Sequence, residues 1–194
     1  MEFTIGITVE AIVLELAAQL QNVSKTVNYQ TIDRVMESLT QAYRNKEPIY
    51  LYGAGRSGFT TKCLTQRLMH LGYSTVFISD SATKPIGPGS VLILTSGSGN
   101  TTSTVAIAER AKSLGAFIIL FTASDSGKIT PMADLVVRLN CKNKETATEV
   151  PTLAPYTSHF DISCLALYDS ICGCMMNRLG LSEADIHCNH ANLE

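Results

Sequence analysis

The chain reads IYLYGAGRSG at residues 49–58, and these ten residues indicate its fold class. Ile49–Tyr52 is a short apolar run that predicts a buried strand. Gly53–Gly58 follows as a tight turn, and Phe59–Leu71 as a helix closed by Gly72 just after its last turn. A strand, a glycine-rich turn and a helix in immediate succession predict the repeating unit of a parallel α/β sheet.

The same alternation continues through the middle of the chain. Apolar runs predict four more strands, and one polar-apolar segment predicts a helix between two of them: Thr75–Ile78, Val91–Leu94, Thr101–Leu114 (the helix), Phe117–Phe121 and Leu135–Leu139. The runs are continuously apolar, which indicates that helices cover both faces of the sheet. We therefore predict a flavodoxin-like, three-layer αβα sandwich around a five-stranded parallel sheet with right-handed crossovers.

Helical segments flank this core at both ends. Apolar side chains at helical spacing predict helices over 8–23 and 31–43, which form a helical arm ahead of the first strand. Such an arm needs an apolar surface to cover, which is either its own sheet or another subunit. A polar connection over 140–150 leads to a last predicted helix near Ser158–Leu179 and a polar tail over 180–194.

Length and composition favour one domain. The 194 residues, 45% of them apolar, are enough to form one full hydrophobic core and too few to favour two. We expect a single domain over 1–194, in which 1–45 supplies the N-terminal helices, 46–140 the α/β core and 151–194 the last helix and the tail.

The charge balance argues against a nucleic-acid partner, and the apolar pattern argues against a membrane. The 15 Lys and Arg against 17 Asp and Glu leave a net charge of −2, which gives no basic field for a polyanion. The longest apolar stretches, such as 11–20 and 117–121, are too short or too interrupted to span a bilayer, and the N-terminus lacks the pattern of a signal peptide. We expect a cytoplasmic protein that binds neither nucleic acid nor membrane.

Six cysteines raise the questions of disulfides and of a metal site. A chain of this size without a secretion signal favours free thiols. Cys172 and Cys174, with the later His187, Cys188 and His190, are of the residue types that hold zinc. The first two lie two residues apart in the predicted last helix, however, so they point to different faces. We therefore predict no metal site.

Two polar loops follow predicted strands at the carboxyl edge, where ligands bind in open parallel sheets. GAGRSG at 53–58 satisfies a dinucleotide-binding pattern, with Asp80 at the end of the second strand. TSGSGNT at 95–101 places hydroxyls and bare backbone amides at a helix N-terminus, which favours an anion. Tight turns and ordinary helix caps use the same residues. Two such loops together suit one compact sugar phosphate better than an extended dinucleotide.

Five segments in order carry a family resemblance: GAGRSG at 53–58, RLMHLG at 67–72, SGSGNT at 96–101, LAP at 153–155 and HANLE at 190–194. Over nearly its whole length the chain is similar to the 6-phospho-3-hexuloisomerase family of sugar isomerase (SIS) domain proteins. The resemblance implies an isomerase that interconverts 3-hexulose 6-phosphate and fructose 6-phosphate through an enediol, without metal or nucleotide cofactor. It also implies a homotetramer and a role in formaldehyde assimilation by the ribulose monophosphate pathway.

The resemblance also implies roles for particular residues. A loop of serines and threonines holds the phosphate in such proteins, which here assigns it to Ser57, Ser96, Ser98 and Thr101, with Gly55 and Arg56 beside them. The family's presumed base, a glutamate at the start of the last helix, corresponds to Asp161, and its assisting histidine to His70. Such sites are often shared between subunits, which puts His190 of the tail within reach of a neighbour's site.

Two positions depart from the family pattern. Asp161 and Asp80 both stand where the family has glutamate. Aspartate is one methylene shorter, so the backbone must approach the substrate, a water must intervene, or the substrate must sit differently. His159 and Tyr156 are therefore further acid/base candidates, and Asp161 is alternatively a carboxylate that favours a helix start.

These departures keep a second function open, that of a phosphosugar-binding SIS protein whose catalysis is lost or altered. A third function, a nucleotide-dependent oxidoreductase, rests on the first glycine loop alone.

Overall fold

The structure, a computed structural model, describes residues 8–146, 148–149 and 151–193. Its elements in chain order are α1 (Val9–Thr26), α2 (Tyr29–Asn45), β1 (Ile49–Gly53), α3 (Arg56–His70), β2 (Thr75–Phe77), β3 (Val91–Thr95), α4 (Thr102–Ser113), β4 (Phe117–Thr122), a 3-10 turn (Thr130–Met132), β5 (Leu135–Arg138), α5 (Ser158–Leu179) and α6 (Glu183–Cys188). Parts of three predicted segments lie outside the described residues: positions 1–7 of the first segment, 147 and 150 of the polar connection, and Glu194 of the tail.

The five strands form one parallel sheet in the order β2-β1-β3-β4-β5. The chain runs outward from β1 in one direction and then, after β2, in the other, so the switch point lies between β1 and β3. Gly53 at the end of β1 is level with Thr95 at the end of β3, which is level with Phe121 of β4. The loops that follow β1 and β3 are therefore neighbours at the carboxyl edge, and the predicted fold is confirmed.

Alternate residues of the strands face two separate cores. Leu51 and Ile93 lie on one face, where α2, α3 and α5 cover them. Tyr50 and Leu92 lie on the other face, which α4 covers. Because both faces are buried, the strands can be apolar at every position, as the sequence indicated.

The N-terminal arm divides between two environments. Val35 and Leu39 of α2 are each 1% exposed and belong to the core on one face of the chain's own sheet. The next helix outward, α1, packs on α5 but leaves Val9, Val13 and Leu14 exposed. The arm therefore covers its own sheet through α2 and presents apolar surface through α1.

The C-terminal segment differs from the predicted polar tail because it contains α6. The hydroxyl of Ser182 accepts from the Asp185 amide, and the Asp185 carboxylate accepts from the Ser182 amide. This reciprocal capping box satisfies two backbone donors and starts a helix of only six residues. Among the described residues, no helix is long and apolar enough to cross a bilayer.

Candidate active site

The loop after β1 brings the N-terminus of α3 to the carboxyl edge of the sheet. Gly55, the residue before the helix, has φ of +58°, a conformation that other residues rarely adopt. At Gly58 the helix lies so close to β1 that a Cβ would come 2.5 Å from the carbonyl oxygen of Gly53. The helix consequently begins at Arg56, three residues before the predicted start, and places Arg56 and Ser57 in its first turn.

The loop Thr95–Thr101, which we call the hydroxyl cup, leads from β3 into α4. The Ser96 hydroxyl is buried and has no hydrogen-bond partner among the described residues. Thr101 precedes the helix but its side chain makes no capping hydrogen bond. Ser98 Oγ accepts the amide of Asn100 at 3.2 Å, and its own proton stays free to be donated. Six buried side-chain polar atoms of the described residues lack a partner, and the Ser96 hydroxyl is the one in this loop, where it can donate to a ligand that accepts hydrogen bonds.

Three helices, α3, α4 and α5, direct their N-termini at one pocket of about 210 Å³. Helix N-termini combine free N–H groups with a partial positive charge, so each favours an anion. Arg56 and Lys144 in the lining add two full positive charges. The residues that line this pocket are Ala54, Arg56, Ser57, Thr95, Ser96, Gly97, Ser98, Thr101, Asn143, Lys144, Tyr156, Thr157 and Phe160.

Asp161 lies in the first turn of α5, directly behind the pocket lining, and is 4% exposed. Its Oδ1 accepts from Ser57 Oγ at 3.1 Å. Its Oδ2 accepts from Arg56 Nε at 3.1 Å and from Thr157 Oγ1 at 2.9 Å. All three donors line the pocket, so this carboxylate joins the N-terminus of α3 to that of α5 at the site.

The two other acid/base candidates have different surroundings. Tyr156 lines the pocket, is exposed, and has φ of +40°, in the left-handed region that side chains disfavour. His159 is buried, and its Nε2 lies 2.8 Å from a carboxylate oxygen of Glu15 in α1. A ligand in the pocket therefore has access to Tyr156, whereas this ring nitrogen of His159 is already paired.

His70 lies at the opposite end of α3 from the pocket. The 14 steps from Arg56 to His70 span about 21 Å at the rise of an α-helix, so His70 does not reach the pocket of its own chain. Its ring is buried and stacks on that of His190, with ring centroids 4.8 Å apart. Burial, with the neighbouring His190 and Arg67, lowers the pKa of His70. The structure thus brings His70 and His190 together, away from the other predicted site residues.

Asp80 also lies outside the pocket. It lines an open groove of about 510 Å³ beside α3 and β2. Its carboxylate is 3.9 Å from Lys62 Nζ, and both side chains are more than half exposed. An exposed ion pair at this distance contributes little to stability. Among the described residues, no unpaired buried hydroxyl lines this groove, whereas that of Ser96 lines the smaller pocket.

The cysteine arrangement agrees with the helical phase read from the sequence. Cys172 is buried and Cys174 is exposed, so they occupy different faces of α5. Burial raises the pKa of the Cys172 thiol to about 12, which disfavours the thiolate that metals bind. Within the described part of the chain, no three His, Cys, Asp or Glu residues lie close enough together to hold a metal ion.

The sequence patterns did not identify four residues that lie at or near the site. Asn143 and Lys144 reach the pocket from the connection after β5, where Glu145 accepts from Asn100 Nδ2 at 2.8 Å. No local pattern marks such a loop, because its place depends on contacts with residues 20 and 45 positions earlier, Ala123 and Asn100. Thr157 carried a readable signal, since a threonine just before a predicted helix is a typical N-cap. Glu15 carried none.

Comparison with known proteins finds a matching domain family and relatives named as isomerases. Residues 42–164 match the SIS domain family model. The chain is 30% identical over 183 residues to the 3-hexulose-6-phosphate isomerase of Bacillus subtilis. This alignment covers 94% of this chain and 97% of that protein. It is 32% identical over 158 residues to the enzyme of the same name from Methanocaldococcus jannaschii, covering 81% and 83% of the two chains.

A solved structure has the same fold over the same length. The crystal structure of a hypothetical protein from Methanococcus jannaschii, for which a 3-hexulose-6-phosphate isomerase function has been inferred, superposes with a TM-score of 0.80. The two chains are 27% identical, and the superposition covers 95% of this chain and 98% of that one.

Proposed function

The chain belongs to the SIS domain family, and we propose that it is an isomerase that interconverts 3-hexulose 6-phosphate and fructose 6-phosphate. Relatives with this name match most of the chain at about 30% identity, which supports an enzyme acting on this substrate pair. The resemblance carried by the five sequence segments is thereby confirmed.

The phosphate subsite is supported by one observation above all, the unpaired buried hydroxyl of Ser96 in the hydroxyl cup. A phosphate bound there accepts hydrogen bonds from the hydroxyls of Ser96, Ser98 and Thr101 and from the first free amides of α4. Arg56 supplies positive charge from the other side of the pocket. The volume of about 210 Å³ fits a single sugar phosphate and is small for a dinucleotide.

The reaction needs only proton movement. A base removes the proton on C2 of the 3-hexulose, the resulting 2,3-enediol receives a proton at C3, and the hydroxyl proton moves from O2 to O3. No electron leaves the substrate, so no redox cofactor is required. In this proposal Asp161 is the base: a substrate hydroxyl replaces that of Ser57 at Oδ1 and brings C2 within reach, while Thr157 keeps its hydrogen bond to Oδ2.

Two histidines complete the site from a neighbouring subunit. His70 is about 21 Å along α3 from the pocket of its own chain, so its proposed catalytic role requires a second copy. His190 is stacked on it and would enter with it. Exposed apolar side chains on α1 (Val9, Val13, Leu14) and near the pocket (Phe59, Tyr156) support self-association, and the homotetramer is part of the proposal.

The cellular setting follows from the substrate. Phosphorylated sugars carry charge, do not cross bilayers unaided and are made in the cytoplasm, so we expect the enzyme there.

The base is tested by two substitutions at one position. Asp161→Asn keeps the size of the side chain but loses the proton acceptor, so kcat is expected to fall on the order of a hundredfold or more. The hydroxyl cup is untouched, so fructose 6-phosphate still binds. Asp161→Glu restores the residue type of the family and is expected to keep or raise turnover. Wild-type kcat in Asp161→Asn would assign the base to another group.

The substrate class is tested with a panel of hexose, pentose and amino-sugar phosphates and the matching unphosphorylated sugars. A ligand that binds only the folded state raises the temperature of unfolding, and we expect the largest rise with fructose 6-phosphate and none with fructose. Product formation is then followed by chromatography, with nicotinamide absorbance recorded in parallel. Binding of a phosphosugar without conversion would favour the non-catalytic alternative.

A further inference from the structure

Glu15, in the half-buried face of α1, holds the segment that forms one wall of the pocket. Its carboxylate accepts from the amide of Leu153 at 2.7 Å, from the amide of Ala154 at 3.0 Å and from His159 Nε2 at 2.8 Å. Nε2 faces a carboxylate, so it carries the proton and donates. We call these three hydrogen bonds the Glu15 clasp.

The three donors bracket the wall residues. Leu153 and Ala154 precede Tyr156 and Thr157 in the chain, and His159 follows them in the first turn of α5. Tyr156 and Thr157 both line the pocket, and Thr157 donates to Asp161 at 2.9 Å. The clasp therefore fixes the wall from both sides with one carboxylate.

The wall segment needs contacts from another part of the chain to keep its conformation. Tyr156 has φ of +40°, and a residue other than glycine keeps this conformation only where its surroundings impose it. Pro155 has no amide to donate, and its carbonyl accepts from the amide of Ser158 at 3.0 Å. The amides of Leu153 and Ala154 find their acceptor 138 and 139 positions away, on the helix α1.

The titration of Glu15 agrees with this geometry. Burial opposes the charged form, but the hydrogen bonds from Leu153, Ala154 and His159 outweigh it and hold the pKa of Glu15 below its usual value. The carboxylate is thus charged at neutral pH, and charge-assisted hydrogen bonds are stronger than neutral ones.

We propose that Glu15 is a positioning residue of the isomerase site, acting through Leu153, Ala154 and His159 to hold Tyr156, Thr157 and the carboxylate of Asp161 in the geometry that proton transfer requires. The proposal rests on the proposed function. It gives His159 a role in positioning and leaves proton transfer to other groups.

The test compares Glu15→Ala and Glu15→Gln with Glu10→Gln, a matched control on the exposed first turn of α1. Glu15→Ala removes all three hydrogen bonds, and we expect kcat to fall tenfold or more. The hydroxyl cup is intact, so the Kd for fructose 6-phosphate is expected to change less than threefold. Glu15→Gln keeps an oxygen acceptor without charge and should give a smaller loss, whereas Glu10→Gln should match the wild type.

Amide hydrogen exchange at Leu153 and Ala154 supplies a readout that does not depend on turnover. Both amides should be protected in the wild type and exchange rapidly in Glu15→Ala. A lower unfolding temperature with wild-type kcat in both Glu15 variants would mean a purely structural role and overturn the proposal, as would unchanged protection of the two amides. A wild type without isomerase turnover would overturn the proposed function, while the exchange data would still decide whether Glu15 holds the wall. If Glu15→Ala does not fold, Glu15→Gln carries both measurements.

Discussion

Two hydroxyl side chains of the hydroxyl cup, those of Ser98 and Thr101, have hydrogen-bonding capacity left for a ligand. In the variant Ser98→Ala with Thr101→Ala, two hydrogen bonds to a charged phosphate are lost. We expect fructose 6-phosphate to bind more than tenfold more weakly, about 1.4 kcal/mol, as measured by calorimetry. Ser113→Ala, at the far end of α4, is the control and should bind as the wild type does. An unchanged Kd in the double variant would place the phosphate elsewhere.

His70 makes stability depend on pH in a defined window. Its folded-state pKa is lowered by burial and by His190 and Arg67, so the unfolded chain takes up a proton more readily than the folded one. The stability is fully present above the unfolded pKa of about 6.5 and declines as the pH falls below it. Urea unfolding at pH 7.0 and 5.5, at fixed protein concentration, should show this decline in the wild type and less of it in His70→Gln. An equal decline in both proteins would contradict the assignment.

Individual residues divide into those a local pattern can reveal and those it cannot. Ser96 lies in a loop between a strand and a helix, and Arg56 begins the helix that follows such a loop, so the sequence predicts their position at the carboxyl edge. Glu15 and Lys144 enter the site through contacts made across the fold. His70 lies near the end of the helix predicted over 59–71, and the structure gives that helix 15 residues from Arg56, which sets the distance of His70 from the pocket.

At the scale of elements, the close contact of α3 with β1 depends on the absence of a side chain at Gly58. A Cβ there would meet the carbonyl oxygen of Gly53 at 2.5 Å, and backbone cannot move aside easily. Gly58→Ala should therefore destabilise the protein by about 1–3 kcal/mol in urea unfolding. Gly173→Ala, in α5, should stabilise it by about 0.5–1 kcal/mol, because among the described residues no atom beyond the adjoining backbone of α5 and the chain neighbours lies within 4 Å of the added Cβ. Equal effects of the two substitutions would contradict the packing described.

The observed ends of helices differ from the predicted ends where capping residues determine them. The start of α3 moves to Arg56 because Gly55 adopts positive φ, which the apolar pattern used to place the helix does not register. The helix α6 follows a Ser-x-x-Asp capping box that is readable at residues 182–185 but has little apolar periodicity beside it. The strands, by contrast, were predicted to within a residue or two, because a run of apolar residues between turns leaves few alternatives.

For the whole molecule, the sheet order and the layers follow from the alternation of strands and helices in the sequence. That alternation does not tell whether the site is shared between subunits. If each site takes Asp161 from one subunit and His70 from another, two inactive variants should complement each other. Asp161→Asn and His70→Ala, refolded together in equal amounts, should regain up to about a quarter of wild-type turnover, the share of sites expected to carry both native residues by random pairing. Each variant refolded alone is the control, and a mixture as inactive as its parts would confine the site to one chain.

Isomerisation through an enediol transfers a carbon-bound proton of the substrate to the base. On the base this proton exchanges with solvent, so the substrate takes up deuterium in D₂O. Fructose 6-phosphate is therefore incubated with the protein in D₂O and followed by proton NMR, with Asp161→Asn in parallel. The wild type should form 3-hexulose 6-phosphate while the C3 proton of fructose 6-phosphate is replaced by deuterium, and Asp161→Asn should do so on the order of a hundredfold more slowly. A wild type that binds fructose 6-phosphate yet forms no 3-hexulose and exchanges no carbon-bound proton would contradict the assignment of this pocket to a sugar-phosphate isomerase.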